Sequence, residues 1–361
     1  MKGFTAYGEV KVNSISGRYL PPQPVHRFLE SLPPSIHVEV CGHSVAKQKI
    51  QTVRMGNGPV RVLLWSQMHG NESTTTKALL DLIQDIHLKQ PKWLDGLELL
   101  MVPILNPDGA KAYTRQNINN IDLNRDAQDL SQPESIALRR VFEDFKPAYC
   151  FNLHDQRTIY GIETPPIPAT LSFLAPAADP QRSFTDPRSR AARLIALISD
   201  GVSSEIGVGR YDDTFNINCV GDTFQAAGVP TLLLEAGHYP GDYQREVTRF
   251  YVYQSLVRAL KGIASGAHLT LPLSEYQRIP ANATPFVDVL VHNADRIIPG
   301  LPSGSTIGLQ FEEVFRDGKI DFKPKMSEMG ESQELFGHRV LDASVRDDLR
   351  MLIELGDING A

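Results

Sequence analysis

Short apolar runs alternate with longer amphipathic segments between about residue 38 and residue 265. The segments IHVEVCG and KIQTVRMG alternate polar and apolar positions and predict two strands of a meander. Nearly continuous apolar runs predict four buried strands, at 60–67, 97–105, 148–154 and 229–236. Apolar residues at helical spacing predict helices at 72–88, from about 131, within 187–206, at 221–227 and at 244–264. This alternation predicts an α/β fold with a largely parallel sheet that helices cover on both faces.

The pattern changes after residue 265, where proline, glycine and asparagine interrupt shorter alternating stretches. The next helix-length pattern comes only at 344–355, so we predict a smaller β-rich C-terminal domain at 268–361. Residues 1–265 then form the main domain. Its proline-rich first segment, 1–35, is predicted to wrap around the surface.

Composition restricts the class of protein and its location. The chain has 361 residues, 42% of them hydrophobic and 22% charged, which suits a globular protein with a sizeable core. A net charge of −6 argues against a general nucleic-acid binder. Three widely separated cysteines offer neither a disulfide framework nor a Cys-x-x-Cys metal site. With no apolar signal region and no membrane-spanning run, we predict a cytoplasmic protein that has no membrane partner.

The first candidate metal ligands are His69 and Glu72, in the tetrapeptide HGNE directly after the strand at 60–67. Three residues apart at a helix start, their side chains lie on one side of the turn and can reach one cation. Zinc accepts both imidazole and carboxylate ligands. The pair alone is a weak signal, because the helix dipole also favours a glutamate in the first turn.

Two further candidates end apolar strands. His154 ends the strand at 148–154 and, as a third protein ligand, would leave one position open for water, as in catalytic zinc sites. Glu235 follows three leucines, and a carboxylate at the edge of a core needs a partner or a task. One such task is that of a general base beside a metal-bound water. Taken singly, each residue could instead be a hydrogen-bonded strand end.

An amide-rich loop supplies candidate substrate-binding residues. It follows the turn at 106–109 and carries Arg115, Asn124 and Arg125. A guanidinium beside an amide suits a substrate carboxylate, and a second arginine suits an oxyanion. A solvated polar loop is the plain alternative. The neighbouring Asp126 is expected to pair with an arginine.

The order of these signals strengthens each of them. The HGNE segment, His154 and Glu235 each follow the carboxyl end of an apolar strand. In open α/β sheets, ligands bind in the crevice at the carboxyl ends of the strands. Three separate strands would therefore deliver four groups to one edge of the sheet.

This order of motifs resembles the zinc carboxypeptidase (funnelin) family. The matching pieces are His69-Gly-Asn-Glu72, Asn106-Pro-Asp-Gly109, Arg115, Asp122-Leu-Asn124-Arg125, Asn152-Leu-His154 and Leu234-Glu235. The resemblance implies a three-layer α/β/α domain around a mixed, mainly parallel sheet of about eight strands, here within 1–265. The β-rich C-terminal domain is similar to that of aspartoacylase and succinylglutamate desuccinylase relatives, which share the catalytic fold.

The resemblance implies that three residues bind one zinc ion per chain: His69, Glu72 and His154. It implies that Glu235 is the general base and acid, and that Arg115 polarises the scissile carbonyl. Asn124 and Arg125 would hold a terminal carboxylate. The protein would then be a hydrolase, a zinc-dependent metallocarboxypeptidase that cleaves the C-terminal bond of peptides with metal-activated water.

Other positions stay open at this point. Many members of the family carry a mobile tyrosine about twenty residues before the catalytic glutamate. The nearest tyrosine to that position here is Tyr211, although Phe215 lies closer to it. The segment 216–224, which contains Asp222, is predicted to line the specificity pocket, with either an apolar or a basic preference. Asp155 and His238 are expected to make plain polar contacts at the pocket rim; the alternatives are that either orients a ligand or helps to hold a second metal.

Two alternatives to a metallocarboxypeptidase are kept. The first is a deacylase or amidohydrolase acting on a small N-acyl amino acid, which uses the same metal chemistry and differs in pocket size. The second is a catalytically silent binding protein, which the loss of a ligand or of the base would have indicated. The natural substrate, the oligomeric state and the role of the C-terminal domain are not determined by the sequence.

Overall fold

The computed structural model describes residues 7–327 and 335–355. Within these ranges, the main sheet has nine strands. They are β1 (His37–His43), β2 (Lys49–Gly56), β3 (Val60–Ser66), β4 (Leu97–Val102), β5 (Tyr149–Asp155), β6 (Gly161–Ile162), β7 (Ile167–Leu174), β8 (Gly207–Arg210) and β9 (Thr231–Ala236). The strand order is β1-β2-β4-β3-β5-β9-β7-β6, and β8 pairs with β7.

The centre of the main sheet is parallel. Strands β4, β3, β5 and β9 run parallel to one another, whereas β2 and β7 lie antiparallel on either side of them. These four central strands are the four apolar runs of the sequence, because a strand buried on both faces needs apolar residues at successive positions. The predicted meander is also confirmed, since β1 pairs antiparallel with β2.

Helices cover both faces of this sheet. They are α1 (Pro22–Glu30), α2 (Thr74–Lys89), α3 (Pro107–Ala112), α4 (Pro133–Phe145), α5 (Asp186–Val202), α6 (Val220–Ala226) and α7 (Glu246–Ser265). One apolar core contains residues of α2, α5 and α7, and a second contains residues of α4 and α6. On β3, Val62 and Leu64 point into the first core, while Leu63 and Trp65 point into the second. The predicted three-layer α/β/α architecture is thereby confirmed.

Two details of the main sheet differ from the prediction. Strands β7 and β8 were not predicted, because prolines at 165, 166 and 168 interrupt the pattern where β7 begins. The helix expected from residue 72 begins at Thr74, so Glu72 lies in the turn before it. In that turn, the Glu72 N–H bonds to the carbonyl oxygen of His69 at 3.0 Å.

A second sheet follows the main one and confirms the expected β-rich C-terminal region. Its strands are β10 (Phe286–His292), β11 (Ile307–Arg316), β12 (Lys319–Met326) and β13 (Phe336–Asp342), in the order β12-β11-β10-β13. Helix α9 (Arg346–Glu354) packs Leu352 into the core of this sheet. The short α8 (Leu273–Gln277) comes before β10 and instead places Tyr276 in the core of the main sheet. The boundary at 265–268 stays a prediction.

The N-terminal segment lies across α2 and α7, where an ion pair fastens it. Arg249 Nη2 lies 2.6 Å from Asp81 Oδ1, and both side chains are completely buried. Asp81 also accepts hydrogen bonds from the Tyr7 hydroxyl at 2.6 Å and the Val12 N–H at 2.8 Å, and Arg249 donates to the Ile15 carbonyl at 2.6 Å. The segment and α1 add seven buried apolar residues to the first core: Tyr7, Val10, Val12, Ile15, Leu20, Val25 and Leu29.

Across residues 7–327 and 335–355, every helix is either too short or too polar to cross a bilayer. This agrees with the hydropathy of the sequence, in which no apolar run reaches about 18 residues.

The Asp81–Arg249 pair predicts a large stability effect. Replacing Asp81→Asn is expected to lower the free energy of unfolding by up to about 3–5 kcal/mol, because Arg249 loses its completely buried partner and keeps only the partly exposed Glu246 at 3.1 Å. Denaturant unfolding at neutral pH measures this. The control is Asp200→Asn, which removes the exposed partner of Arg258 and should cost under about 1 kcal/mol. Similar small losses for both variants would contradict the anchoring role of Asp81.

Candidate functional site

Three side chains from two separate parts of the chain converge on one point. His69 Nδ1 lies 2.8 Å from Glu72 Oε1, and His154 Nδ1 lies 2.8 Å from Glu72 Oε2. The two Nδ1 atoms are 3.2 Å apart. Ligand atoms of these three buried residues all lie within 4.8 Å of one another, which no other group of three His, Cys, Asp or Glu does among the described residues.

Neighbouring groups hold the candidate ligands in place. His69 Nε2 lies 2.9 Å from Asp122 Oδ1, and the N–H of Asp155 donates to Glu72 Oε2 at 3.1 Å. Such outer partners fix the orientation of metal ligands in proteins. Asp122 belongs to a motif quoted above, but its contact with His69 was not predicted, because a loop position does not reveal which side chain it faces.

The electrostatics of this cluster suit a cation. Burial opposes ionisation of Glu72, but the charges and hydrogen bonds of His69 and His154 outweigh it and hold the pKa of Glu72 well below its usual value. Burial lowers the pKa of His154, whereas the neighbouring carboxylates of Glu72 and Asp122 outweigh burial and raise the pKa of His69. A carboxylate and two imidazole nitrogens that face one point are a donor set that zinc accepts. The residues present therefore fit a zinc ion.

Glu235 lies beside His154 on the neighbouring strand. The parallel register of β5 and β9 pairs His154 with Glu235. The Glu235 side chain is buried and lines the same cavity as the three candidate ligands. Burial raises the pKa of Glu235 well above its usual value, and the nearby carboxylate of Glu72 raises it further. A carboxyl group with a raised pKa is suited to proton transfer near neutral pH.

The amide-rich loop reaches the same cavity. Arg115 donates to Glu72 Oε1 at 3.1 Å through Nη1 and to Asp122 Oδ2 at 3.2 Å through Nε. Arg125 is exposed at the cavity wall. Asn124 Oδ1 accepts the N–H of Val220 at 3.0 Å, which ties this loop to the start of α6. All seven predicted site residues therefore line one cavity.

The cavity has a volume of about 1210 Å³ and is lined by residues of both sheets. The strand registers place Asn152, Leu233 and Leu174 side by side, two residues before His154 and Glu235 along β5 and β9. These three side chains line the floor of the cavity. Both polar side-chain atoms of Asn152 are buried, with no hydrogen-bond partner among the described residues. The floor therefore combines two apolar side chains with one amide.

The segment 216–224 contributes part of the wall. Cys219 and Asp222 line the cavity, and burial raises the pKa of the Asp222 carboxyl to about 6. Tyr211 lines it as well, with its hydroxyl 2.8 Å from that of Tyr160. Tyr211, the tyrosine candidate of the sequence, therefore lines this cavity together with Tyr160.

Asp155 and His238, the two open candidates near the ligands, have other partners. Asp155 Oδ2 accepts hydrogen bonds from Arg18 at 2.9 Å and from the Thr74 hydroxyl at 2.6 Å. The His238 ring packs against that of His338, with centroids 4.2 Å apart. Within the part of the chain that the structure describes, neither residue joins a second group of three possible metal ligands.

The prediction that Asp126 pairs with an arginine was wrong. Its carboxylate accepts hydrogen bonds from the Ser131 N–H at 2.9 Å, the Ser131 hydroxyl at 2.7 Å and the Gln132 N–H at 3.0 Å. Asp126 therefore closes the turn before α4. Such local bonds to the backbone are typical of aspartate in turns.

Residues 25–157 match the family described as zinc carboxypeptidase. The similarity to this family covers that segment of the chain. It contains six of the seven predicted site residues, and only Glu235 lies beyond it. The ligand cluster and the amide-rich loop therefore fall within the part of the chain that matches the family.

Curated relatives match this chain over a short stretch. Probable carboxypeptidase 2 from Arthroderma benhamiae is 31% identical over 100 residues, which cover 27% of this chain and 19% of the relative. Carboxypeptidase SOL1 from Arabidopsis thaliana is 34% identical over 103 residues, which cover 24% of this chain and 21% of the relative. The match thus spans about a fifth of the length of these relatives.

Solved structures share the fold over a larger part of the chain. A putative carboxypeptidase A from Shewanella denitrificans has a TM-score of 0.56 at 16% identity, covering 69% of this chain and 71% of that chain. Carboxypeptidase A from Helicoverpa armigera has a TM-score of 0.56 at 15% identity, covering 74% of this chain and 81% of that chain. The carboxypeptidase fold therefore extends well beyond the segment 25–157.

The ligand cluster predicts a single zinc site. We expect about one zinc ion per chain. Loss of a residue that only supports a metal ligand typically reduces metal affinity roughly 10–100-fold. Because Glu72 is itself a candidate ligand, we expect Glu72→Gln to reduce zinc affinity by more than this. The physical reason is the loss of the one negative charge among the three donors. Elemental analysis and competition with a chelator measure both quantities. His43→Ala, which removes an exposed histidine, is the control. Unchanged zinc binding by Glu72→Gln would contradict the assignment.

Proposed function

We propose that this protein is a zinc-dependent metallocarboxypeptidase that hydrolyses the C-terminal peptide bond of peptides. The observation that carries the proposal is the position of Glu235 beside His154, in a cavity that also contains Arg115, Asn124 and Arg125. Hydrolysis of an amide at a metal site needs a proton-transfer group and a stabiliser for the oxyanion. This cavity offers a residue suited to each task.

The ligand set suits a catalytic metal. His69, Glu72 and His154 would hold the zinc ion, which when bound acts as a Lewis acid and lowers the pKa of a water ligand to about 7. Three protein ligands leave one coordination position open, as catalytic sites do, whereas structural zinc sites use four. We propose one ion per chain, because the described residues offer one such group.

In this proposal, Glu235 transfers protons. It takes a proton from the attacking water and returns it to the leaving amine, which is general base and then general acid catalysis. The burial that raises the pKa of Glu235 stabilises the protonated form between these two events. Arg115 faces the same cavity and lies against Glu72, where its guanidinium would stabilise the developing oxyanion.

Asn124 and Arg125 suit the free carboxyl terminus of a substrate. A guanidinium binds a carboxylate through paired, charge-assisted hydrogen bonds, and an amide adds a further donor. Arg125 is exposed at the cavity wall and has no carboxylate within ion-pair distance among the described residues. Its guanidinium is therefore available for a substrate carboxylate. This selects an exopeptidase reaction at the C-terminal bond over cleavage within a chain.

One observation favours the alternative substrate class, a small N-acyl amino acid. Residues of the second sheet, Phe311 and Lys325 among them, line the cavity together with the candidate ligands. A wall formed by the second sheet limits the room in the cavity, which would favour a small substrate. A deacylase of the aspartoacylase or succinylglutamate desuccinylase type would use the same metal chemistry on a shorter acyl group.

We also propose a cytoplasmic location. The cysteines Cys41, Cys150 and Cys219 are all free thiols, as expected in a reducing compartment. Fractionation of cells that produce the protein tests this proposal.

Glu235→Gln provides the central test of the proposed activity. The zinc-loaded wild-type protein is expected to release the last residue of peptides with a free carboxyl terminus. The variant is expected to bind zinc normally and to lose about 10²–10⁴-fold in kcat, because the amide cannot accept a proton. Amino-acid release and zinc content are measured on the same samples. Glu143→Gln, an exposed acid on α4, serves as the matched control.

The substrates used in that assay also separate the alternatives. Hydrolysis confined to N-acyl amino acids would replace the peptidase by a deacylase. Zinc binding without turnover of either class would favour a silent binding protein. A Glu235→Gln variant as active as wild type would remove Glu235 from the mechanism.

Arg125→Ala tests the proposed recognition of the terminal carboxylate. A hydrogen bond to a charged group contributes about 1.5–3 kcal/mol, so we expect kcat/KM to fall roughly 10–100-fold for free peptides. Amidated peptides, which lack the carboxylate, should be cleaved equally poorly by both proteins. Steady-state kinetics on matched free and amidated peptides measure this, with Arg54→Ala on β2 as control. An equal loss on both peptides would contradict a role for Arg125 in carboxylate recognition.

A further inference from the structure

Arg18 connects the two segments that carry the candidate metal ligands. Its Nη1 atom lies 2.9 Å from Asp155 Oδ2 and 3.1 Å from Thr74 Oγ1. Asp155 directly follows His154 at the end of β5, and Thr74 begins α2 two residues after Glu72. One guanidinium thus bridges the end of a strand and the start of a helix, each next to a candidate ligand.

Asp155 carries this connection to the ligand cluster. Its backbone N–H donates to Glu72 Oε2 at 3.1 Å. Its side chain is fixed from the other side, where Oδ2 also accepts the Thr74 N–H at 3.1 Å and the Thr74 hydroxyl at 2.6 Å. A shift of the Asp155 side chain would therefore move the N–H that orients the Glu72 carboxylate.

The second sheet holds Arg18 in turn. On β11, Glu313 Oε1 accepts a hydrogen bond from Arg18 Nε at 3.0 Å, and Glu313 Oε2 accepts one from Arg18 Nη2 at 3.3 Å. The two bonds together form a bidentate pair. The hydroxyl of Tyr113 donates to the same carboxylate. Arg18 is only 6% exposed, so water does not replace these contacts. The contacts run from the second sheet through Arg18 and Asp155 to Glu72.

We propose that Arg18 is a positioning residue for the metal centre, and that the second sheet holds it in place through Glu313. This inference rests on the proposed zinc site. Neither residue has a direct contact with His69, Glu72 or His154 among the described contacts, so both act through Asp155 and Thr74. Arg18 precedes the segment 25–157 that matches the family, and Glu313 follows it. Both residues therefore come from parts of the chain outside that match.

The physical reason is the charge of Asp155. Without Arg18, the Asp155 carboxylate would stay buried next to Glu72 and Glu235, with hydrogen bonds but without a cation in direct contact; the buried Arg245 acts on it only from beyond ion-pair distance. A buried charge that has lost its partner destabilises the local structure strongly. The end of β5 would relax to reach water, and the outer support of Glu72 would be lost. Loss of an outer partner typically reduces metal affinity about 10–100-fold.

A double-variant cycle on zinc affinity tests this proposal. Zinc dissociation constants are measured by chelator competition for the wild type, Arg18→Gln, Glu313→Gln and the double variant. We expect Arg18→Gln to weaken binding about 10–100-fold and Glu313→Gln to weaken it less. Because Glu313 acts through Arg18, the double variant should bind zinc as Arg18→Gln does, within about twofold. Asp321→Asn, an exposed acid on β12, is the control in the same sheet.

Further readouts separate positioning from general stability. The absorption spectrum of the cobalt-substituted protein should change in Arg18→Gln, since the spectrum reports ligand geometry, and Arg18→Lys should restore part of the zinc affinity. Thermal unfolding of the zinc-free proteins reports stability alone. If Arg18→Gln does not fold, the Glu313→Gln variant provides the test. Weaker zinc binding by Glu313→Gln, at the melting temperature of the wild type, supports the proposal.

Two outcomes overturn the inference while leaving the proposed function intact. One is wild-type zinc affinity and an unchanged cobalt spectrum in Arg18→Gln and Glu313→Gln. The other is additive losses in the double variant, which would mean that Glu313 does not act through Arg18. If the wild type itself binds no zinc, the proposed function fails first, and the inference fails with it.

Discussion

The buried carboxylate of Glu72 brings together four groups from distant parts of the chain. Its two oxygens contact the imidazoles of His69 and His154, the N–H of Asp155 and the guanidinium of Arg115. A buried carboxylate is costly unless such partners satisfy it, so each of them must stay where it is. The donor atoms are thereby held together by the fold itself. A zinc ion would find its ligands already oriented.

The sheet provides the frame for this convergence. Glu72 and His154 come from the carboxyl ends of β3 and β5, which are neighbours in the sheet, and Glu235 comes from β9 next to β5. Parallel strands end at the same edge, and their register is fixed by apolar residues buried on both faces. Asn152 lies two residues before His154 on β5, so its side chain lies on the same face of the sheet. The candidate ligand His154 and the cavity floor are therefore held by the same strands.

Both ends of the chain extend the domain beyond the segment that matches the family. The N-terminal segment is fastened to α2 and α7 by the Asp81–Arg249 pair, and Arg18 in that segment reaches the ligand cluster. The second sheet lines the cavity and contacts Arg18 through Glu313. The cavity is therefore formed by three parts of the chain, and its size depends on how they pack together.

The sequence by itself determined the four central strands, the three-layer arrangement and the residues that converge at the sheet edge. These follow from local patterns, because doubly buried strands need continuous apolar runs and ligand-bearing residues sit where those runs end. Only the tertiary structure decided that Asp122 holds His69, that Tyr211 faces the cavity and that Arg18 joins Asp155 to Glu313. Arg18 is 137 residues from Asp155 and 295 from Glu313 in the chain, so no periodicity or motif can report their contact. Buried charges select their partners by position in the folded core, and that position exists only once the strands, the N-terminal segment and the second sheet have packed.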